Sequence, residues 1–209
     1  AVDTVLEQLL HCITMMLNIL LLLVASACCV DASCNATIVN SIKQFWGKKP
    51  PHVYLKKLVG TLTYTWISPS IIGGQDLKCF QTTLADDEMT ARDYQENADG
   101  STSSGSDYFY LLERPGYITL SAPGAPDDWI HVVYLNNKRR VIGYYQCDPT
   151  VDNYEPFVAV AAVNYKNNSL VIARAIKAAV RVLDKLGINS GTAIHTDCST
   201  FIRNSTSAT

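Results

Sequence analysis

The chain has 209 residues, 48% hydrophobic and 17% charged, with a formal net charge of -2. That length suits a single domain able to bury a sizeable core. The charge balance excludes an electrostatic nucleic-acid binder, which needs a basic excess, and 11 Gly with 8 Pro exclude a collagen-like or low-complexity chain.

The longest apolar run extends from Met15 to Val30, and its centre, Ile19 to Val24, is wholly aliphatic. Val30 and Ala32 supply the small residues at -3 and -1 that signal peptidase requires. The sequence therefore predicts a signal peptide starting at Met15 or Met16, cleavage after Ala32, and residues 1–14 as upstream sequence. A buried core helix, a membrane anchor and a lipid-modified Cys28 are the alternatives; the run is short for a span of about 20 apolar residues. Cleavage would remove Asp3, Glu7 and Asp31 and no Lys or Arg, moving the net charge to +1. It would also remove Cys12, Cys28 and Cys29, leaving Cys34, Cys79, Cys147 and Cys198. An even count in a secreted chain predicts two disulfides, with three pairings open. Sequons at Asn35, Asn167 and Asn204 fit an extracellular address.

Residues 33–209 read as one domain with a polar C-terminal tail. Eight short strands alternate with turn chemistry: Leu55–Trp66, Leu77–Leu84, Met89–Gln95, Tyr108–Leu112, Tyr117–Ser121, Trp129–Leu135, Arg140–Cys147 and Phe157–Asn164. Asn97–Ser106 is Gly/Ser-rich and predicted as a loop. The period then changes to about 3.6. Ser169 caps a helix over about 170–186, with Ile172, Ile176, Val180 and Leu183 on one face and Gly187 at its end. Thr192–Cys198 reads as extended. The fold class is all-β with one helix: an eight-stranded antiparallel up-and-down barrel, which buries its own edges, plus a C-terminal helix. A sandwich is the alternative.

The stretch Asp128-Trp129-Ile130-His131-Val132, the run Ile142-Gly143-Tyr144-Tyr145-Gln146-Cys147, the strand Phe157–Val160 and the helix after it resemble lipocalins of the insect bilin-binding protein, insecticyanin and apolipoprotein D group. Cys79 and Cys198 fall at corresponding places. The resemblance implies pairing of Cys34 with Cys147 and of Cys79 with Cys198. It implies a secreted carrier for a small hydrophobic ligand: biliverdin or another chromophore, a retinoid or a fatty acid. Three family marks are missing. Gly60-Thr61-Leu62 replaces Gly-x-Trp, Val163 or Asn164 stands where an Arg is expected, and Leu135-Asn136-Asn137 replaces Thr-Asp-Tyr.

Alternate residues of a barrel strand face inward. Family spacing puts Trp129, His131, Val133, Ile142, Tyr144, Phe157 and Ala159 on the interior face, with Asp93 and Gln95 as polar pocket residues. Tyr108 and Tyr110 share a face that the sequence does not identify. Pigment-binding relatives carry Trp at the position of Ala159, so either neighbouring aromatics such as Tyr144 lean in or the pocket is larger; the larger pocket is the expectation. No catalytic residue, metal, nucleic-acid partner or stable membrane anchor is expected. The 4 histidines lack metal-ligand spacing, and the His195/Cys198 pair is excluded as a nucleophile if Cys198 is in a disulfide. The alternative function is a secreted interaction protein acting through the loops at 97–106 and 148–156. A filled barrel favours that role and an open cavity favours transport.

Overall fold

The computed structural model describes residues 34–68, 77–123, 128–148, 157–165 and 169–188, together with Cys198; for 112–114 only the backbone is described. The expected signal segment, its cleavage point, Asn167, Asn204, His195 and the loop at 149–156 lie outside these residues. Among the described residues no helix is long and apolar enough to cross a membrane.

Nine strands follow a first helix, α1 (Ala36–Trp46), and precede a second, α2 (Leu170–Lys185). They are β1 (Gly60–Ile67), β2 (Leu77–Leu84), β3 (Thr90–Asn97), β4 (Thr102–Ser104), β5 (Tyr108–Arg114), β6 (Tyr117–Ser121), β7 (Asp128–Asn136), β8 (Val141–Cys147) and β9 (Phe157–Val163). Each pairs antiparallel with its neighbour, β9 returns to β1, and β2 pairs with β3. Eight strands thus close a barrel, the expected architecture. The exception is β4, a short exposed ribbon paired to β3 within the segment predicted as a loop.

The two faces of the barrel wall are both buried, for different reasons. Inside, Leu62, Tyr64, Phe80, Leu84, Ala91, Tyr108, Tyr110, Ile118, Ile130, Val132, Ile142, Tyr144, Phe157 and Ala159 form one core. Outside, Val133, Val141, Tyr145, Val158, Val160 and Ala162 form a second with Ala175, Ala179 and Leu183 of α2 and with Val39 and Ile42 of α1. Every residue of β8 and β9 is therefore buried. Gly143 is where α2 comes nearest: a Cβ there would stand 3.3 Å from Cβ of Tyr134 and 3.4 Å from Cβ of Ala179.

Ser169 caps α2 by accepting from the Ile172 N–H, and Gly187 follows it at φ +70°, a left-handed position suited to glycine. The α1 helix was not predicted. Asn35, read as a sequon, is its N-cap: Oδ1 accepts from the N–H groups of Thr37 and Ile38 at 3.0 and 3.3 Å. Its last residue, Trp46, donates Nε1–H to the Val132 carbonyl at 2.8 Å.

Cys34 is bonded to Cys147 and Cys79 to Cys198, with Cα separations of 5.1 and 5.4 Å. This is the expected pairing, and it fastens α1 to β8 and the C-terminal segment to β2. The end of the barrel near the β7–β8 turn is closed by a short 3₁₀ turn, Leu55–Lys57, which places Leu55 and Leu58 in the inner core. Arg140, in the β7–β8 turn, holds it: Nε donates to the Lys57 carbonyl at 2.7 Å and Nη2 to the Val59 carbonyl. The missing Trp and Arg thus have substitutes. Leu62 fills the base, and a cation from another turn ties it shut.

Candidate ligand site

The opposite end of the barrel lies where β1 finishes at Ile67 and β2 begins at Leu77. Five strands bring a polar cluster into the otherwise apolar interior. Asp93 on β3 faces inward, opposite Thr82 of β2. Its Oδ1 accepts from Thr82 Oγ1 at 2.5 Å and from Tyr108 OH at 2.6 Å. Tyr64 OH lies 3.1 Å from Thr82 Oγ1, and Tyr144 OH donates to Tyr64 OH at 2.9 Å. Because the Thr82 proton is given to Asp93, Tyr64 must donate to Thr82. The hydroxyls form one directed chain, Tyr144 to Tyr64 to Thr82 to Asp93, with Tyr108 entering from the side.

Burial dominates the electrostatics. It raises the Asp93 carboxyl above the ordinary carboxylate range, and the two hydroxyl donors only partly oppose that. Tyr64 is pushed up to about 12, first by burial and then by the Asp93 charge. Tyr108, Tyr110 and Tyr144 are pushed up as well, again first by burial. All four phenols therefore stay protonated and able to donate at neutral pH.

Aromatic rings surround the cluster. Tyr64 meets Phe80 edge-on at 4.8 Å and Phe157 at 6.2 Å, and Tyr144 meets Phe157 at 5.7 Å. Below the cluster, Leu55, Leu58, Leu62, Leu84, Tyr110, Ile118, Ile130, Ile142 and Tyr144 enclose a void of about 20 Å³, room for one water. At the closed end a wider space of about 520 Å³ lies between the closing turn, Asp87–Met89 and Tyr110.

Of the nine expected site residues, six lie on the interior face. Ile142, Tyr144, Phe157 and Ala159 belong to the inner core, and Asp93 and Gln95 face the same way as Ala91 and Phe80. The expectation for β7 is corrected. Ile130 and Val132 point inward, while Trp129 is 36% exposed, His131 lies between the rings of Tyr117 (edge-on) and Tyr145 (tilted), and Val133 packs in the outer core. The reason is that both faces of β7 are covered, so alternation in this strand did not identify the inside. A bulge between Val132 and Tyr134 further breaks its period. The larger pocket expected beside Ala159 is also corrected. Tyr144, its partner across the β8–β9 ladder, occupies that space together with Phe157, and Ala159 is fully buried.

Sequence reasoning missed Tyr64, Phe80 and Thr82. The alternation Leu62-x-Tyr64 and Phe80-x-Thr82-x-Leu84 carried their orientation, and the same rule now places Tyr108 and Tyr110 inside.

Known structures decide the fold. A major cockroach allergen, Per a 4, superimposes with a TM-score of 0.54 at 11% identity, covering 74% of this chain and 96% of its own. Insecticyanin from the tobacco hornworm Manduca sexta gives 0.52 at 8% identity, over 72% and 85%. The fold is that of a lipocalin. Lobster apocrustacyanin A1 matches this lipocalin barrel over 85% of the chain and 96% of its own, with a TM-score of 0.51 at 10% identity. No protein-family model matches the sequence, and no curated protein matches it. The lipocalin likeness is therefore one of shape, at sequence distances that carry only the fold.

Proposed function

We propose that this lipocalin is a secreted carrier that holds a small, largely hydrophobic ligand in its barrel. The observation behind this reading is the Asp93–Thr82–Tyr108–Tyr64–Tyr144 cluster. A barrel interior that served stability alone would gain nothing from a carboxylate and four hydroxyls, because each costs desolvation. Polar groups converging among aromatic walls are what a ligand site needs to fix orientation. The void of about 20 Å³ admits no organic ligand, so this reading looks for the ligand beside the polar cluster, nearer Phe80 and Phe157.

Secretion would follow from cleavage after Ala32, and the two disulfides suit an oxidising compartment. Glycans would sit at Asn35, Asn167 and Asn204; Asn35 is exposed and caps α1 through Oδ1, leaving Nδ2 for attachment. A pigment, whether biliverdin or another chromophore, is one ligand class and a colourless retinoid or fatty acid another.

Native mass spectrometry of protein secreted by its source tests the carrier reading. It should show one releasable small molecule per chain, and the absorption spectrum should show whether that molecule is coloured. A bare chain that also fails to bind apolar fluorescent probes would overturn it. The small interior void favours the second reading, an interaction protein. Its surface would include the exposed ribbon β4, whose outer edge is unpaired among the described strands, and co-purification of a protein partner with the bare chain would support it.

A further inference from the structure

We propose that Asp93 anchors the cationic end of the ligand, so that the barrel takes a small amine carrying an aromatic or aliphatic body. This rests on the carrier reading and names the class of molecule carried.

The donors that reach Asp93 are neutral hydroxyls, and both end on Oδ1. Among the described residues Oδ2 accepts no hydrogen bond and no Lys, Arg or His is paired with this carboxylate. The nearest cations in sequence are engaged elsewhere: Arg92 with Asp107 and Lys78 with Glu96. The groups facing Asp93 from β1, β5 and β8 are the phenols of Tyr64, Tyr108, Tyr110 and Tyr144.

The direction of the hydroxyl chain adds to this. Every proton in it points toward Asp93. Aligned donors of that kind support a negative charge at the end of the chain. They cannot cancel it, because they carry no net charge. An anion inside an apolar enclosure draws in a cation, the role that a ligand's ammonium group would fill.

The walls suit the same guest. Aromatic faces attract an ammonium group through the ring quadrupole, and Tyr64, Phe80, Tyr144 and Phe157 stand around the cluster. They would also cover the apolar body. Asp93 keeps part of its surface accessible although its carboxyl reaches into the barrel. An anionic ligand would meet repulsion there, and a neutral one would leave the charge unpaired.

The test compares three probes that share one ring: tryptamine, the neutral alcohol tryptophol, and the anion indole-3-propionate. Binding to the oxidised full-length secreted protein is measured by calorimetry. Tryptamine should bind about 10-fold more tightly than tryptophol, corresponding to roughly 1.4 kcal/mol, and indole-3-propionate should bind most weakly. Asp93→Asn should bring tryptamine down to the level of tryptophol, while Asp93→Glu should keep part of the preference. Equal affinities for all three probes, or a preference that survives Asp93→Asn, would overturn the amine inference and leave the carrier reading standing. Failure of all three probes and of apolar fluorescent probes would overturn both. Should Asp93→Asn not fold, the order of the three affinities in the unaltered protein decides alone.

Discussion

Tyr144 is the most informative residue to remove, because it separates a packed barrel from an open one. Its ring is buried against Phe157 and beside the small void, and its hydroxyl donates to Tyr64. Tyr144→Phe deletes that one bond. Tyr64 keeps its hydrogen bond to Thr82, so no buried group is stranded and the cost is about 1 kcal/mol. Tyr144→Ala removes the whole ring from a rigid wall, at about 3–5 kcal/mol. With an m-value of roughly 2 kcal/mol per molar urea, the midpoint should fall by about 0.5 M for Phe and about 2 M for Ala. Equilibrium urea unfolding with both disulfides intact measures this, and an unchanged slope confirms that stability alone has moved. If Tyr144→Ala costs less than about 1 kcal/mol, the ring does not pack as described. The barrel would then be open beside Ala159, and the reasoning from the small void would fail.

Gly143→Leu drives a side chain into Tyr134 and Ala179 and should cost about 1–3 kcal/mol or more; a neutral result in thermal melts would show that α2 does not approach β8 so closely. Cys79→Ala with Cys198→Ala opens a link spanning 119 residues and should lower stability by about 2–5 kcal/mol, read by urea unfolding. The raised Asp93 carboxyl gives stability a definite sign with pH. Below the ordinary carboxylate range both states hold the proton and no penalty exists. As pH rises through that range the unfolded chain releases its proton first, so stability falls until the folded carboxyl ionises too. Asp93→Asn should flatten that fall in urea midpoints measured across pH. Tyr64, pushed up to about 12, acts likewise at high pH: stability should drop as pH rises past about 10, and Tyr64→Phe should reduce that drop.

Much of the barrel could be read from alternation and turns because most strands have one dominant apolar face. Leu77–Leu84 and Tyr117–Ser121 were bounded to the residue. The site was harder to read where that condition failed. On β7 the helices cover the outer wall, so Ile130 and Val132 inside and Val133 outside are all apolar. Only three-dimensional packing decides which set faces in. The α1 helix was hidden because Asn35 carries two signals at once, a sequon and an N-cap. Arg140 was missed for a different reason. The family pattern puts the Arg on β9, whereas here a residue in another turn, at φ +55°, holds the base of the barrel by reaching backbone carbonyls rather than a Trp ring. The consequence of Ala159 depended on Tyr144, and a volume lost at one position can be filled from its neighbour across the ladder.

Methyl and aromatic NMR of the labelled protein, titrated with the ligand recovered from its natural source, tests the central claim most directly. Ala159 and Ile142 of the inner core and the rings of Phe80 and Phe157 report on the interior; Val133, Ala175 and Ala179 report on the outer core. The account predicts saturable shifts in the interior set, with Phe80 and Phe157 moving most and the outer set nearly still. Shifts confined to the outer set or to β4, with the interior unmoved, would contradict it.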